Sequence, residues 1–191
     1  MRLQFIISSH NRVNNLNNVL ACLQSQTNEN WNCLVVVDGP NNSYDKCIEY
    51  FSSDNRIEFL FLEKQYKDFG NTPKNIGLQI AKEEFVVMTS DDNYYVPSFV
   101  NEILNNVNEE INFIYCDMIH NGYEYKFFET HHSSHRIDVG IMVMRTNLAK
   151  QLKLIENRID SDGIFCHEYI SKFCQNKNSI KKINKILYAH N

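Results

Sequence analysis

The apolar run Phe85–Met88 leads into Thr89, Ser90, Asp91, Asp92 and Asn93, so two adjacent carboxylates close a stretch that reads as a strand buried on both faces. A charge pair at the end of such a strand is costly unless bulk solvent, a helix N-terminus or a bound cation offsets it. Other polar groups stand at comparable positions. Ser8 to Arg12 (sequence SSHNR) follows the first apolar run, Asp38 ends the second, and Lys74 and Asn75 open a helical segment. Asp160 and Asp162, in DSDG, begin a late helical pattern. Carboxylates brought to one edge from separate elements can hold a divalent cation or serve as acid and base. Each also has an ordinary reading. Asp91 and Asp92 can cap a helix starting near Pro97, Asp38 can be a turn residue before Gly39 and Pro40, and Asp160 or Asp162 can be an N-cap.

The elements that position these groups alternate. Leu3 to Ser8 reads as a strand, followed by a helix from about Arg12 to Gln24 with Val13, Leu16, Val19, Leu20 and Leu23 at helical spacing. Cys33 to Asp38 is a second strand, Tyr44 to Phe51 a second helix, and IEFLFLE from Ile57 a third strand. TPKNIGLQIAKE is a helix with Pro73 near its start, and the fourth strand is the one ending in the carboxylates. Strands alternating with helices of about a dozen residues imply parallel βαβ units in a doubly wound sheet, where ligands collect at the carboxyl ends of the strands. The second half is less regular. PSFVNEILNNV reads as a helix, and INFIYCDMI with YEYKFFE as a hairpin around HNGY. DVGIMVMR reads as a strand, TNLAKQLKLI and DSDGIFCHEYISKFCQ as helices, and INKILYAHN as a last strand.

Composition narrows the function. The 191 residues are 43% hydrophobic and 22% charged, enough for a substantial core. A formal net charge of −4 offers no basic field for nucleic acid. The cluster NKNSIKKINK is expected to be a solvated helix end. No apolar run reaches the roughly 18 residues of a membrane span, and MRLQFIISS is too short for a signal sequence. None of the six cysteines forms a Cys-x-x-Cys pair, so they are expected as buried free thiols in a reducing compartment, which favours the cytoplasm. Neither a Walker loop nor a G-x-G-x-x-G fingerprint is present. His131 to His135 (HHSSH) lies in a polar stretch and is expected as a surface loop. Trp31 is expected to shield a sheet edge, and Gly77 and Gly140 to permit close packing.

Taken in order, the rim segments resemble the inverting nucleotide-sugar glycosyltransferases of the GT-A fold, family 2. Ser8, His10 and Asn11 match the segment ending that family's first strand. Ser25 to Gly39 match the phrase around its second strand, and Lys74, Asn75 and Gly77 an Arg-Asn-x-Gly-like segment. Ser90 to Asn93 match a variant of its Asp-x-Asp signature, with Thr89 where the first acid would stand. The resemblance covers roughly Leu3 to Val107, and the remainder more loosely. It implies a GT-A, Rossmann-like α/β fold: a mostly parallel sheet flanked by helices, with a small antiparallel second part. Residues 1–191 would form one domain, 1–95 its nucleotide-binding half and 96–191 its acceptor-side half.

The resemblance also implies roles. Ser8, His10, Asn11, Arg12, Asp38, Lys74, Asn75, Asp91 and Asp92 would bind the nucleotide-sugar donor. Asp38 would read a uracil N–H, which favours a UDP-sugar. Lys74 would contact phosphate as a point charge where the family commonly has arginine. Asp91, Asp92 and His190 would ligate Mn²⁺ or Mg²⁺, and Asp162, or Asp160 as runner-up, would deprotonate an acceptor hydroxyl. The expected activity is metal-dependent transfer of a sugar from a UDP-sugar to a hydroxyl of a glycan or related acceptor, with inversion. Two alternatives stay open: a catalytically silent nucleotide-sugar-binding module or donor half of a larger glycosyltransferase, and a nucleotidyltransferase.

Overall fold

A computed structural model describes residues 1–132 and 136–191, so only His131 and His132 of the histidine-rich loop fall within the described residues. Strand β1 (Leu3–Ser9) is buried along its whole length. It lies between two parallel neighbours, β2 (Trp31–Val37) and β4 (Phe85–Ser90), with Leu3 opposite both Trp31 and Phe85. β2 pairs in parallel with β3 (Ile57–Phe61). Such strands read as continuous apolar runs because helices cover both faces. Helix α1 (Val13–Gln24) buries Leu16, Val19, Leu20 and Leu23. Helix α2 (Asp45–Phe51) buries Cys47 and Phe51, and α3 (Asn71–Ile80) lies on β1 and β2. The chain runs outward from β1 to β3 and then returns to β4 on the other side of β1. That reversal opens a crevice at the carboxyl ends of β1 and β4, where the diverging loops leave room for a ligand.

The second half extends the same sheet. After β5 (Tyr94–Tyr95) and α4 (Phe99–Leu104), β6 (Phe113–His120) and β7 (Lys126–Phe128) form the expected hairpin. The segment expected as one strand, DVGIMVMR, is strand only at β8 (Val143–Arg145), because Val139–Ile141 form a tight 3-10 turn. The Asp138 carboxylate closes that turn by accepting from the Gly140 N–H. Helix α5 (Thr146–Ala149) is also shorter than its pattern. The Asn75 side chain accepts from the Leu154 N–H and donates to the Leu154 carbonyl, both at 2.8 Å, engaging backbone groups of the stretch expected to be helix. Helix α6 (Ser161–Phe173) and strand β9 (Ile180–His190) follow. The nine strands make one sheet in the order β3-β2-β1-β4-β8-β6-β9-β5, with β7 beside β6. β8 is antiparallel to β4 and β6, while β9 runs parallel to β6.

Two further expectations are corrected. The basic stretch NKNSIKKINK is a 3-10 turn at Lys177–Ser179 and the start of β9, not a helix end. Its charges are used in pairs: Lys182 sits 2.9 Å from Asp117, and Lys185 2.6 Å from Glu102. Trp31 does not shield an edge. It begins an interior strand, is fully buried, and carries the Arg56 guanidinium 4.0 Å above its ring. Helix α4 starts at Phe99 without a side-chain cap, so Asp91 and Asp92 do not cap it. All six cysteines are free and only Cys22 is not fully buried, as a thiol core requires. Burial pushes the Cys47 and Cys174 thiols up to about 11, which suppresses thiolate reactivity. Among the described residues no helix is long and apolar enough to cross a membrane.

Gly77 sets how closely α3 approaches the sheet. A Cβ there would lie 2.4 Å from Ile6 Cγ2 and 3.1 Å from Val36 Cγ2, inside contact distance. Replacing Gly77 by Ala is expected to destabilise the protein by about 1–3 kcal/mol through overpacking, read as a lowered midpoint in urea unfolding.

Candidate active site

The carboxyl ends of β1, β2 and β4, the start of α3, the turn before β8, the start of α6 and the end of β9 surround a cleft of about 650 Å³. Ser8, His10, Arg12 and Asp38 line it from the first two strands, and Lys74 and Asp92 from α3 and the end of β4. Asp162 and His190 line it from the second half. Four other expected site residues do not line it: Asn11, Asn75, Asp91 and Asp160.

Arg12 supplies the compensation that the paired carboxylates demand. Its guanidinium spans both, with Nη2 2.6 Å from Asp91 Oδ1 and Nη1 bonded to Asp92 Oδ2. Asp91 is fully buried behind the cleft wall and also accepts from the Ser9 hydroxyl at 2.6 Å and the His10 N–H at 3.3 Å. Burial raises its pKa, opposed by the Ser9 hydrogen bond and the Arg12 charge. Ser9 donates to a carboxylate, so the Tyr44 hydroxyl, 2.7 Å away, donates to Ser9. Only Asp92 of the pair faces the cleft. Thr89, standing where a further acid would be, is buried and takes an amide hydrogen bond from Asn93 at 3.3 Å.

Asp38 clamps the loop before α3. Its two oxygens accept the Tyr66 and Lys67 N–H groups at 2.8 and 3.0 Å, and His10 Nδ1 lies 3.6 Å from Oδ2. Lys67, Phe69 and Gly70 all take left-handed backbone conformations there, so the loop folds tightly over the β2 end. Lys74 is 3% exposed, and its ammonium meets the Ser90 hydroxyl at 3.2 Å and the Phe69 carbonyl at 3.5 Å. A buried ammonium held by two neutral acceptors at the cleft wall is an electrostatic invitation to an anion.

Asp162 sits in the first turn of α6 and accepts the Val139 N–H at 3.2 Å. Its pKa is pushed up to about 6, first by burial and then by the charge of Asp138, with Lys74 pulling the other way. Asp160, one turn position earlier, points elsewhere: its carboxylate is paired with Arg158 at 2.5–2.8 Å on the exposed surface. Asp138 is the residue that sequence reasoning missed. It accepts the Tyr188 hydroxyl at 2.7 Å and lies 3.4 Å from His190 Nε2, facing the same cleft as Asp162. Reading DVGIMVMR as one strand hid it, although Asp two residues before Gly is an Asx-turn signal that could have exposed it. His190 is stacked on His120, rings 4.2 Å apart and 4° from parallel. Asn11 sits at φ 57° beside the cleft and accepts from the Asn41 amide at 2.6 Å, while Asn75 holds Leu154 behind it.

Among the described residues no three His, Cys, Asp or Glu side chains converge as a metal cage. The donor set nevertheless fits a cation shared with phosphate, because Mg²⁺ and Mn²⁺ need only one or two protein carboxylates when phosphates and waters complete the shell. Asp92 presents such a carboxylate to the cleft, provided Arg12 turns away from it.

Removing Arg12 strands a buried charge. Arg12→Ala is expected to lower Tm, most at pH 8 and less as the pH falls. The folded pKa of Asp91 is raised, so the penalty exists while the carboxylate is ionised and disappears as it takes up a proton. Arg12→Ala combined with Asp91→Asn is expected to remove that pH dependence, measured by thermal melts across the range.

Comparisons with known proteins identify the fold and the family. EpsH of Bacillus subtilis (strain 168), which bears a glycosyltransferase name, is 25% identical over 113 residues, 59% of this chain and 32% of its own length. A crystal structure of S. aureus TarS 1–349 in complex with UDP-GlcNAc superposes with a TM-score of 0.82 at 17% identity, covering 99% of this chain and 58% of that one. The mannosyltransferase PcManGT from Pyrobaculum calidifontis, in complex with GDP-Man and Mn²⁺, gives a TM-score of 0.76 at 11% identity, covering 99% and 56%. The chain thus spans about a third to three-fifths of the length of these relatives. The fold is that of the GT-A structures. The sequence model of the family described as "Glycosyl transferase family 2" matches residues 4–175, nearly the whole chain, and the protein belongs to that family.

Proposed function

We propose that the cleft binds a UDP-sugar and transfers its sugar, with inversion, to an acceptor hydroxyl, Asp162 acting as the base. The observation that carries this reading is the placement of a partly desolvated carboxylate, Asp162, in one cleft with the buried ammonium of Lys74 and the carboxylate of Asp92. A structure of a similar fold holds UDP-GlcNAc, which supports a uridine diphosphate donor here.

Asp38 and His10 meet the base and ribose in this reading, with Asp38 fixed by the two loop N–H groups so that a free lone pair can accept from uracil. Lys74 faces the diphosphate, and Ser90 Oγ fixes the direction of its ammonium. A divalent cation bound by Asp92 would act as a Lewis acid on the departing diphosphate. Asp162 takes the proton from the acceptor oxygen. A carboxyl near 6 is mostly ionised at neutral pH and is a stronger base than an ordinary aspartate. The charge of Asp138 helps keep the Asp162 pKa raised, and the Val139 N–H orients the carboxylate.

A second reading is a donor-binding half of a larger enzyme, supported by the chain covering 58% of the TarS 1–349 chain. Release of UDP from a panel of UDP-sugars with Mn²⁺, with and without Asp162→Asn, separates the two. Transfer predicts a loss of about 10²–10⁴-fold in turnover with UDP affinity retained. Tight UDP binding with no turnover in the wild type favours the binding half, and pyrophosphate release from UTP would favour nucleotidyl transfer. The acidic limb of the rate profile is expected near pH 6. Asp138→Asn removes a neighbouring negative charge, so the Asp162 pKa falls and the limb moves to lower pH, measured as kcat against pH.

A further inference from the structure

A ladder of rings leaves the cleft and climbs the β6–β7 hairpin. His190 lines the cleft and stacks on His120 at 4.2 Å. His120 meets the edge of Tyr123 at 5.4 Å, and Tyr123 packs on Phe128 at 4.9 Å, with the Arg136 guanidinium 4.9 Å from the Phe128 ring. Strand register explains the alignment, since Met118 is paired with both Phe128 and Tyr188, and His120 with both Lys126 and His190, so these side chains share a face. The hairpin is tied to the cleft a second time where the Tyr125 hydroxyl bonds to Asn191, another cleft-lining residue. Tyr123 remains 55% exposed, and the donor-side reading gives it no task.

We propose that the exposed Tyr123 ring, set beside the His190–His120 stack, is an acceptor subsite that holds a saccharide by stacking, which rests on the glycosyl-transfer reading of the cleft. The chemistry favours a sugar over an apolar partner. A pyranose has one face of C–H groups, which suits the negative face of an aromatic ring, and an edge of hydroxyls. Tyr123 offers both, an exposed ring face and a hydroxyl at its edge. The exposed rings of the hairpin, Tyr123, Tyr125 and Phe127, stand beside the exposed Lys126–Glu124 ion pair, so charge breaks up the apolar surface that a protein partner would need. Its position also fits. His190 and Asp162 line the same cleft, so a sugar bound beside the ring stack continues toward the place where an acceptor hydroxyl must meet its base.

Saturation-transfer NMR tests this with methyl glycosides of glucose, galactose, mannose and N-acetylglucosamine, plus chitobiose and lactose, each with and without UDP. The expected result is binding of at least one saccharide in the wild type. Affinity should weaken about fivefold or more in Tyr123→Ala and His120→Ala and be kept in Tyr123→Phe and Tyr123→Trp. Because Tyr123 is exposed at a hairpin, its variants are expected to fold, checked by unchanged thermal melts. No binding by any saccharide overturns the proposal, as does binding indifferent to both alanine variants. A parallel loss of UDP affinity in Tyr123→Ala also overturns it, since the rings would then belong to the donor site. If the wild type binds saccharide but not UDP, the donor reading fails while the stacking site stands.

Discussion

The contact between Arg12 and the two carboxylates at the end of β4 joins the fold to its chemistry. Asp91 is fully buried, and a carboxylate there is tolerable only because Arg12, Ser9 and the His10 N–H meet it together. These partners all come from the end of β1, so the salt bridge also fixes how the loops after β1 and β4 leave the sheet. The crevice between them exists because the strand order reverses at that seam. Asp92, the neighbour that faces the cleft, is consequently held in place by a cation that the protein itself supplies. Any divalent ion that uses Asp92 must compete with that guanidinium, and a diphosphate arriving with the ion gives Arg12 a second anion to meet.

Across the cleft the balance has the opposite character. Asp138 and Asp162 repel one another, and burial adds to the cost of ionising Asp162. Lys74 and the Val139 N–H reduce that cost without cancelling it. The result is a carboxyl whose pKa is pushed up to about 6 on one wall and a pair of carboxylates bridged by arginine on the other.

The two halves of the chain meet through hydrogen bonds, not through a linker. β8 lies between β4 and β6, so the second half continues the sheet that bears the donor-side loops. β9 then runs parallel to β6 and brings His190 back to the rim, where the β6–β7 hairpin adds its rings. Acid, base and aromatic groups from sequence positions 8 to 190 are thereby referred to one rigid frame, which limits how far any of them can drift.

The alternation of apolar runs and amphipathic helices determined the parallel core from Leu3 to Ser90, because strands buried on both faces and helices with one apolar stripe admit few other arrangements. The same reasoning placed Ser8, Asp38, Lys74, Asp92 and Asp162 at strand ends and helix starts, and therefore on one edge. What the sequence did not contain was orientation. Asp91 and Asp92 are adjacent in the turn after β4, and only the packed structure shows that Asp91 is buried against Arg12 and Ser9 while Asp92 faces the cleft. Likewise Asp160, just before α6, pairs with Arg158 on the surface, while Asp162, in the first turn of α6, faces the cleft. Asp138 was invisible because its turn interrupts a strand-like pattern, and its partners Tyr188, His190 and Asp162 are distant in the chain. Local periodicity encodes which element forms, but charge pairing between distant elements depends on the three-dimensional path of the backbone, and that path decided which acids became a site.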